Sequence, residues 1–112
     1  MDTVTTTYRQ IIQELLAQYT KIPYAYGDIQ PQPVFDTQGD HYLVMLIGRE
    51  GARRVHGCLI HVDIVHEKIW IQRDGTEEGI ATAFIQAGIP KEHIVLGFRS
   101  PELRKHTEFA HA

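Results

Sequence analysis

Residues 54–73 read RVHGCLIHVDIVHEKIWIQR, and the alternation within this stretch decides the fold. Cys58, Ile60, Val62 and Ile64 fall at every second position, with Leu59, His61 and Asp63 between them. A period of two marks a strand with one apolar face and one mixed face. His66 and Glu67 read as a tight turn, after which Ile69 and Ile71 alternate with Trp70 and Gln72. So short a connection joins antiparallel neighbours. The pattern predicts that the β-branched face packs against helices, while the opposite face is mixed, polar but carrying Trp70.

Outward from this hairpin, residues 41–48 form another β run, joined to it through a turn of Gly51 and its charged neighbours. A turn at Gln38-Gly39-Asp40 precedes that run, with 34–36 as a candidate fourth strand. Residues 22–33 hold three prolines, Gly27 and two tyrosines and read as an extended connector. Upstream, Tyr8, Ile11, Ile12, Leu15, Leu16 and Tyr19 recur at three- and four-residue steps. That spacing predicts an amphipathic helix from Thr5, capped within 5–7 and stopped by Pro23. Downstream, Thr76 or Asp74 caps a second helix whose first turn holds Glu77 and Glu78. Ile80, Ala83, Phe84 and Ala87 are its apolar stripe and Gly88 its stop. Residues 94–98 read as a short last strand, and Ser100-Pro101 opens a partly helical or extended tail. The expectation is one α+β domain over 1–112: an antiparallel meander of three to four strands, an N-terminal helix and a second helix on one face, and a short C-terminal strand and tail.

The length suits one domain, and 43% hydrophobic with 22% charged residues is ordinary for a chain that builds its own core. Cys58 is the single cysteine; its neighbours Leu59 and Ile60 suggest a buried thiol, and the lack of a pairing partner fits a reducing compartment. No run nears the ~18 apolar residues of a membrane span, and residues 1–9 lack a signal-peptide core, so a cytoplasmic location is expected. A net charge of −3 argues against nucleic-acid binding through bulk electrostatics.

Seven histidines raise the question of a metal. His56, His61 and His66 stand five apart, but His61 points away from the other two. His56 and His66 are separated by roughly 33 Å along a strand. No HExxH or similar zinc spacing occurs, so neither a metal nor another cofactor is expected. His61 and Asp63 share a face beside Trp70; they read either as a base and carboxylate lining a shallow site or as an ordinary wet sheet face. A restriction-type nuclease would need Glu-x-Lys after its carboxylate. Glu67 and Lys68 are adjacent and would point to opposite faces. The glycines do not form a phosphate loop, and no catalytic residues are assigned. Two basic clusters stand out: Arg49, Arg53 and Arg54 at a hairpin tip, and Arg99, Arg104 and Lys105 near the C-terminus. Each could touch DNA or an acidic partner, or be solvated turn charge.

The order of several segments carries a resemblance. YRQII at 8–12 is followed by IPYAYG at 22–27, FDT at 35–37, DHY at 40–42 and RVHGC at 54–58. HVDI at 61–64 leads to KIWIQ at 68–72, DGTE at 74–77, GIPK at 88–91, IVLGF at 94–98, SP at 100–101 and TEFA at 107–110. Together they resemble the XisI family from about Thr5 to Ala110. The resemblance implies a controlling factor for excision of a DNA element such as the fdxN element, with the recombinase a separate protein. It also implies an XisH-like partner of nuclease fold, encoded nearby, and brings no catalytic residues with it. Where His66-Glu67 stands, an Asp-Gly type of turn is expected in relatives.

Three readings follow. In the first, the chain is a non-enzymatic accessory protein that binds an XisH-like partner. The surfaces are the mixed sheet face of Leu59, His61, Asp63, Trp70 and Gln72 and the tail with Arg104, Glu108 and Phe109, since aromatic and arginine residues anchor interfaces. In the second, the two basic clusters contact DNA directly. In the third, His61 and Asp63 serve a small enzyme. An apolar residue on an open sheet face also makes a homodimer an expectation.

Overall fold

A computed structural model describes residues 3–21 and 28–112. Helix α1 spans Thr3–Tyr19, followed by strands β1 (Asp28–Asp36), β2 (His41–Glu50), β3 (Arg53–Val65) and β4 (Lys68–Asp74). Helix α2 (Ile80–Gln86) and a 3-10 turn (Lys91–His93) lead to β5 (Ile94–Leu96) and the short α3 (Pro101–Arg104). The sheet order is β1-β2-β3-β4-β5, antiparallel throughout except for the parallel β4–β5 pair. The α+β meander expected from the alternation is present. Crossover through α2 makes the last pairing parallel, since a helix between two strands returns the chain to the same end.

One face of the sheet carries the core. Tyr42, Val44, Ile60, Val62, Ile64, Ile69, Ile71 and Ile94 are buried against Tyr8, Ile12 and Leu16 of α1 and Ile80 and Phe84 of α2. Each such side chain contributes about 1.5–3 kcal/mol by leaving water. Both helices therefore lie on this face, and the opposite face is left to His41, His61, Asp63, Trp70 and Gln72.

Several boundaries differ from the sequence expectation. Helix α1 begins at Thr3, so Thr5, which is buried, and its two threonine neighbours lie inside the helix. The connector expected at 22–33 is from Asp28 onward a nine-residue strand containing Pro31 and Pro33; its earlier part, with Pro23, Tyr24 and Tyr26, lies outside the described residues. Proline is tolerated because β1 is an edge strand needing only one hydrogen-bonding side. Helix α2 starts later than expected, after Glu77 and Glu78. The Asp74 carboxylate accepts from the backbone N–H groups of Thr76 and, at 2.8 Å, Ile80, capping the helix across an intervening loop. Gly88, at φ 101°, ends it as expected. Ile89 N–H bonds Phe84 carbonyl and Gly88 N–H bonds Ile85 carbonyl, the Schellman arrangement.

Two register shifts reshape the open face. Val44 opposes Ile60 but Met45 opposes Cys58, leaving Leu59 unmatched. Directly opposed residues share a face, so Cys58 lies on the side opposite Ile60, not with it as strict alternation implies. Leu59 in turn packs against the core, and Cys58 is half-buried. In the next pairing Val62 opposes Ile71 but His61 opposes Arg73, leaving Gln72 unmatched. A one-residue bulge re-aims side chains in this way.

Asp40 ties the β1–β2 turn to α1. Arg9 donates to both carboxylate oxygens, Nε at 2.7 Å and Nη2 at 3.1 Å, and the Tyr42 hydroxyl donates at 2.9 Å. The Arg9 hydrogen bond holds Asp40 below its ordinary carboxylate value, assisted by Tyr42 and opposed by desolvation. A carboxyl depressed in the fold stabilises it above the unfolded value of about 3.9, and this contribution is lost as pH falls through the lower folded value. Asp40→Asn is therefore expected to lower the urea midpoint at neutral pH and to flatten its decline in acid. Identical pH profiles for the two proteins would contradict this.

The β3–β4 turn places His66 at φ 50° and Glu67 at φ 64°, the left-handed pair of a two-residue type I′ hairpin that favours Asn-Gly. The double substitution His66→Asn, Glu67→Gly should stabilise the protein by about 1 kcal/mol, read as a higher denaturant midpoint at unchanged slope. A lower midpoint would mean that the native side chains make contacts worth more than the relieved strain.

Candidate functional site

Asp63 is the centre of the open face. Although on the sheet side without helices, it is 9% exposed, and it gathers side chains from three strands. His41 Nδ1 and His61 Nε2 each lie 2.8 Å from its Oδ1. Gln72 Nε2 donates to Oδ2 at 3.3 Å. A buried carboxylate needs such partners, because an unpaired charge out of water is costly. His41 is exposed, and its hydrogen bond and attraction to Asp63 raise its pKa above the usual imidazole value. The ligand-type atoms of His41, His61 and Asp63 all lie within 4.8 Å of one another.

Sequence reasoning placed His61, Asp63, Trp70 and Gln72 together, and the structure does bring them to one surface. It missed His41. With a two-residue tip at Gly51-Ala52, an unbroken hairpin would set His41 against Val62, on the core side of β3. The bulge at Leu59 moves the register by one, and His41 faces Asp63. The bulge itself has no signal in the sequence. Leu59, expected on this face, packs with the core instead.

Trp70 lies directly across from Asp63 on β4. The Arg104 guanidinium stands over its ring at 5.1 Å, and Arg104 also donates to the carbonyls of Arg99 and His111. The tail thus reaches the edge of the same face through Arg104, so the two surfaces read separately from the sequence meet at that residue. Gly97 permits this. A Cβ there would fall 2.7 Å from Gln72 Oε1, 3.1 Å from Trp70 Cε3 and 3.2 Å from the Ile71 carbonyl. Phe98 and Leu103 flank the tail at 47% and 53% exposure. Glu108 pairs with Lys91 at 3.1 Å, while Phe109 packs against the core and Ala110 bridges Val95.

The basic residues are largely engaged locally. Arg53 pairs with Glu50 at 3.1 Å, and Lys105 with Glu102 at 3.5 Å. Arg99 lies over the Phe98 ring at 5.2 Å, and Arg49 reaches the Ala52 carbonyl. Arg49 and Arg54 oppose each other across the β2–β3 tip. Cys58 lines an open groove of about 330 Å³ with Arg54, His56 and Arg73; burial pushes its thiol pKa up, so it stays protonated at neutral pH and is a poor nucleophile. A cleft of about 480 Å³ between α1 and α2, beside Leu15, Tyr19 and Ala83, lies on the other side of the sheet from Asp63. Among the described residues, no helix is long and apolar enough to cross a membrane.

The XisI family model matches residues 1–111. The chain belongs to the XisI family. It is similar to a solved XisI-like protein from Anabaena variabilis ATCC 29413, at 33% identity and TM-score 0.89, covering 96% of this chain and 99% of that one. It is also similar to a solved structure from the same organism described as the fdxN element excision controlling factor XisI. That match has 35% identity and TM-score 0.84 and covers 97% of this chain and 99% of that one. No curated protein matches the chain. At this identity and coverage the XisI-family relationship extends over the whole face just described.

Arg104→Ala should release the tail from Trp70. Loss of a cation–π contact and of two hydrogen bonds to carbonyls predicts destabilisation of about 1–2 kcal/mol. The emission of Trp70, the chain's single tryptophan, should shift to the red. An unchanged emission maximum and unfolding midpoint would show that Arg104 does not hold the tail in solution.

Proposed function

We propose that this chain is an accessory protein in the control of DNA-element excision, acting by binding an XisH-like protein through the Asp63–Trp70 face and the adjoining tail. Family membership and likeness to the fdxN element excision controlling factor support the excision role. The observation that carries the binding surface is Trp70 under the Arg104 guanidinium, with Phe98 and Leu103 of the same C-terminal segment exposed. An aromatic with an arginine and apolar neighbours is the usual composition of an interface centre. Sheet-edge association is disfavoured at both ends: Pro31 and Pro33 of edge strand β1 have no N–H to offer a further strand, and Ala110 lies against β5. A homodimer, where one forms, would use this same face.

Direct DNA contact is the second reading, carried by Arg49 and Arg54 standing side by side at the β2–β3 tip. The ion pairs of Arg53 and Lys105 and the net charge of −3 weigh against it. An enzyme built on His61 and Asp63 has the weakest support. Asp63 is held by three partners, and the Cys58 thiol donates to the Ile60 carbonyl.

Co-expression with the XisH-like protein encoded nearby, purified through a tag on that partner, tests the reading. A stoichiometric complex is expected, and Trp70→Ala should weaken it by at least about 2 kcal/mol, roughly 30-fold. Two separate species on size exclusion would overturn the reading. Binding of element-end DNA whose affinity falls steeply with salt would instead support the second.

A further inference from the structure

The convergence on Asp63 exceeds what a structural hydrogen bond requires. Two imidazoles from different strands, His41 and His61, address the same carboxylate oxygen at the same 2.8 Å. As hydrogen bonds these contacts demand a ring N–H at each of two chosen nitrogens. A cation between them would take the same three atoms with both rings neutral and the carboxylate ionised.

We infer that His41 Nδ1, His61 Nε2 and Asp63 Oδ1 form a binding site for a divalent late first-row transition-metal ion of the Zn²⁺ type. Two imidazoles and one carboxylate are the donor set such ions prefer, whereas Mg²⁺ and Ca²⁺ seek oxygen-only shells. Tetrahedral bonds of about 2.0–2.1 Å put ligand atoms about 3.3 Å apart, so each nitrogen–oxygen distance must open by only about half an ångström. His41, with 55% of its side chain exposed, has room to swing. Orientation of the carboxylate is already supplied: Gln72 Nε2 holds Oδ2, and outer partners of this kind tune metal ligands. With three protein ligands, a fourth position would open on the face beside Trp70 for water or a partner's side chain. This inference stands apart from the proposed excision role.

Trp70, directly across from Asp63, is a built-in reporter. Tag-free, chelator-treated protein is titrated with Co²⁺, whose paramagnetism quenches nearby fluorescence, and with Zn²⁺ by calorimetry. One saturable ion per chain is expected. His41→Ala, at an exposed position and so expected to fold, should weaken Zn²⁺ binding by more than the about 10–100-fold expected of the outer-shell change Gln72→Ala. His61→Ala and Asp63→Asn should act as His41→Ala does. The control His56→Ala, His66→Ala should bind like the parent. Absence of saturable binding would overturn the site, as would full affinity in folded His41→Ala or an equal loss in the control.

Discussion

Tyr8, Ile12 and Leu16 of α1 and Ile80 and Phe84 of α2 press onto the valine and isoleucine face of the sheet, and the rest of the molecule depends on that contact. A long helix and a short one, α1 and α2, cover one side of five strands. Because side chains alternate along a strand, every residue packed under the helices commits its neighbours to the other side. The core therefore chooses where the chemistry sits. Arg9, bound to Asp40, fixes α1 over the turn that begins β2, and so sets where His41 starts its strand.

On the uncovered side the polar residues are not simply solvated. Asp63 is buried among His41, His61 and Gln72, while Trp70 has Arg104 over its ring and the backbone of Gly97 close to its edge. Buried polar networks of this kind are costly unless fully satisfied, and fully satisfied they fix one arrangement. The face is built from β2, β3 and β4 and extended by the tail, with Asp63 fixed by its partners and His41 exposed at its margin. A bound ion and a bound protein partner would draw on the same surface: the first on its donor atoms, the second on its aromatic and apolar rim.

The strands of this face were legible because their period is two and their apolar members are β-branched. So were the turn at His66-Glu67, the Gly88 stop and the placing of His61, Asp63, Trp70 and Gln72 together. What was not legible were long-range offsets. The bulge at Leu59 turns Cys58 to the other face and brings His41 to Asp63, yet it depends on packing across strands and leaves no local mark. Pro31 and Pro33 hid an edge strand, since proline argues against a strand wherever two hydrogen-bonding sides are needed. Asp74 was legible as a cap of α2, but not that it reaches six residues on to Ile80 and leaves Glu77 and Glu78 in the loop before the helix. The stacking of Arg104 on Trp70 joins residues far apart in the chain, which no local pattern can announce.

In the proposed function, the Asp63–Trp70 face recognises the partner and the helices do not. The most direct measurement of this is a nuclear magnetic resonance titration of the isotope-labelled chain with unlabelled XisH-like protein. A single tryptophan gives one indole N–H signal, and that signal should move or broaden together with the side-chain signals of His41, His61 and Gln72, while amides on the outer side of α1 stay in place. Saturable binding that leaves the indole signal untouched and perturbs α1 instead would contradict the account.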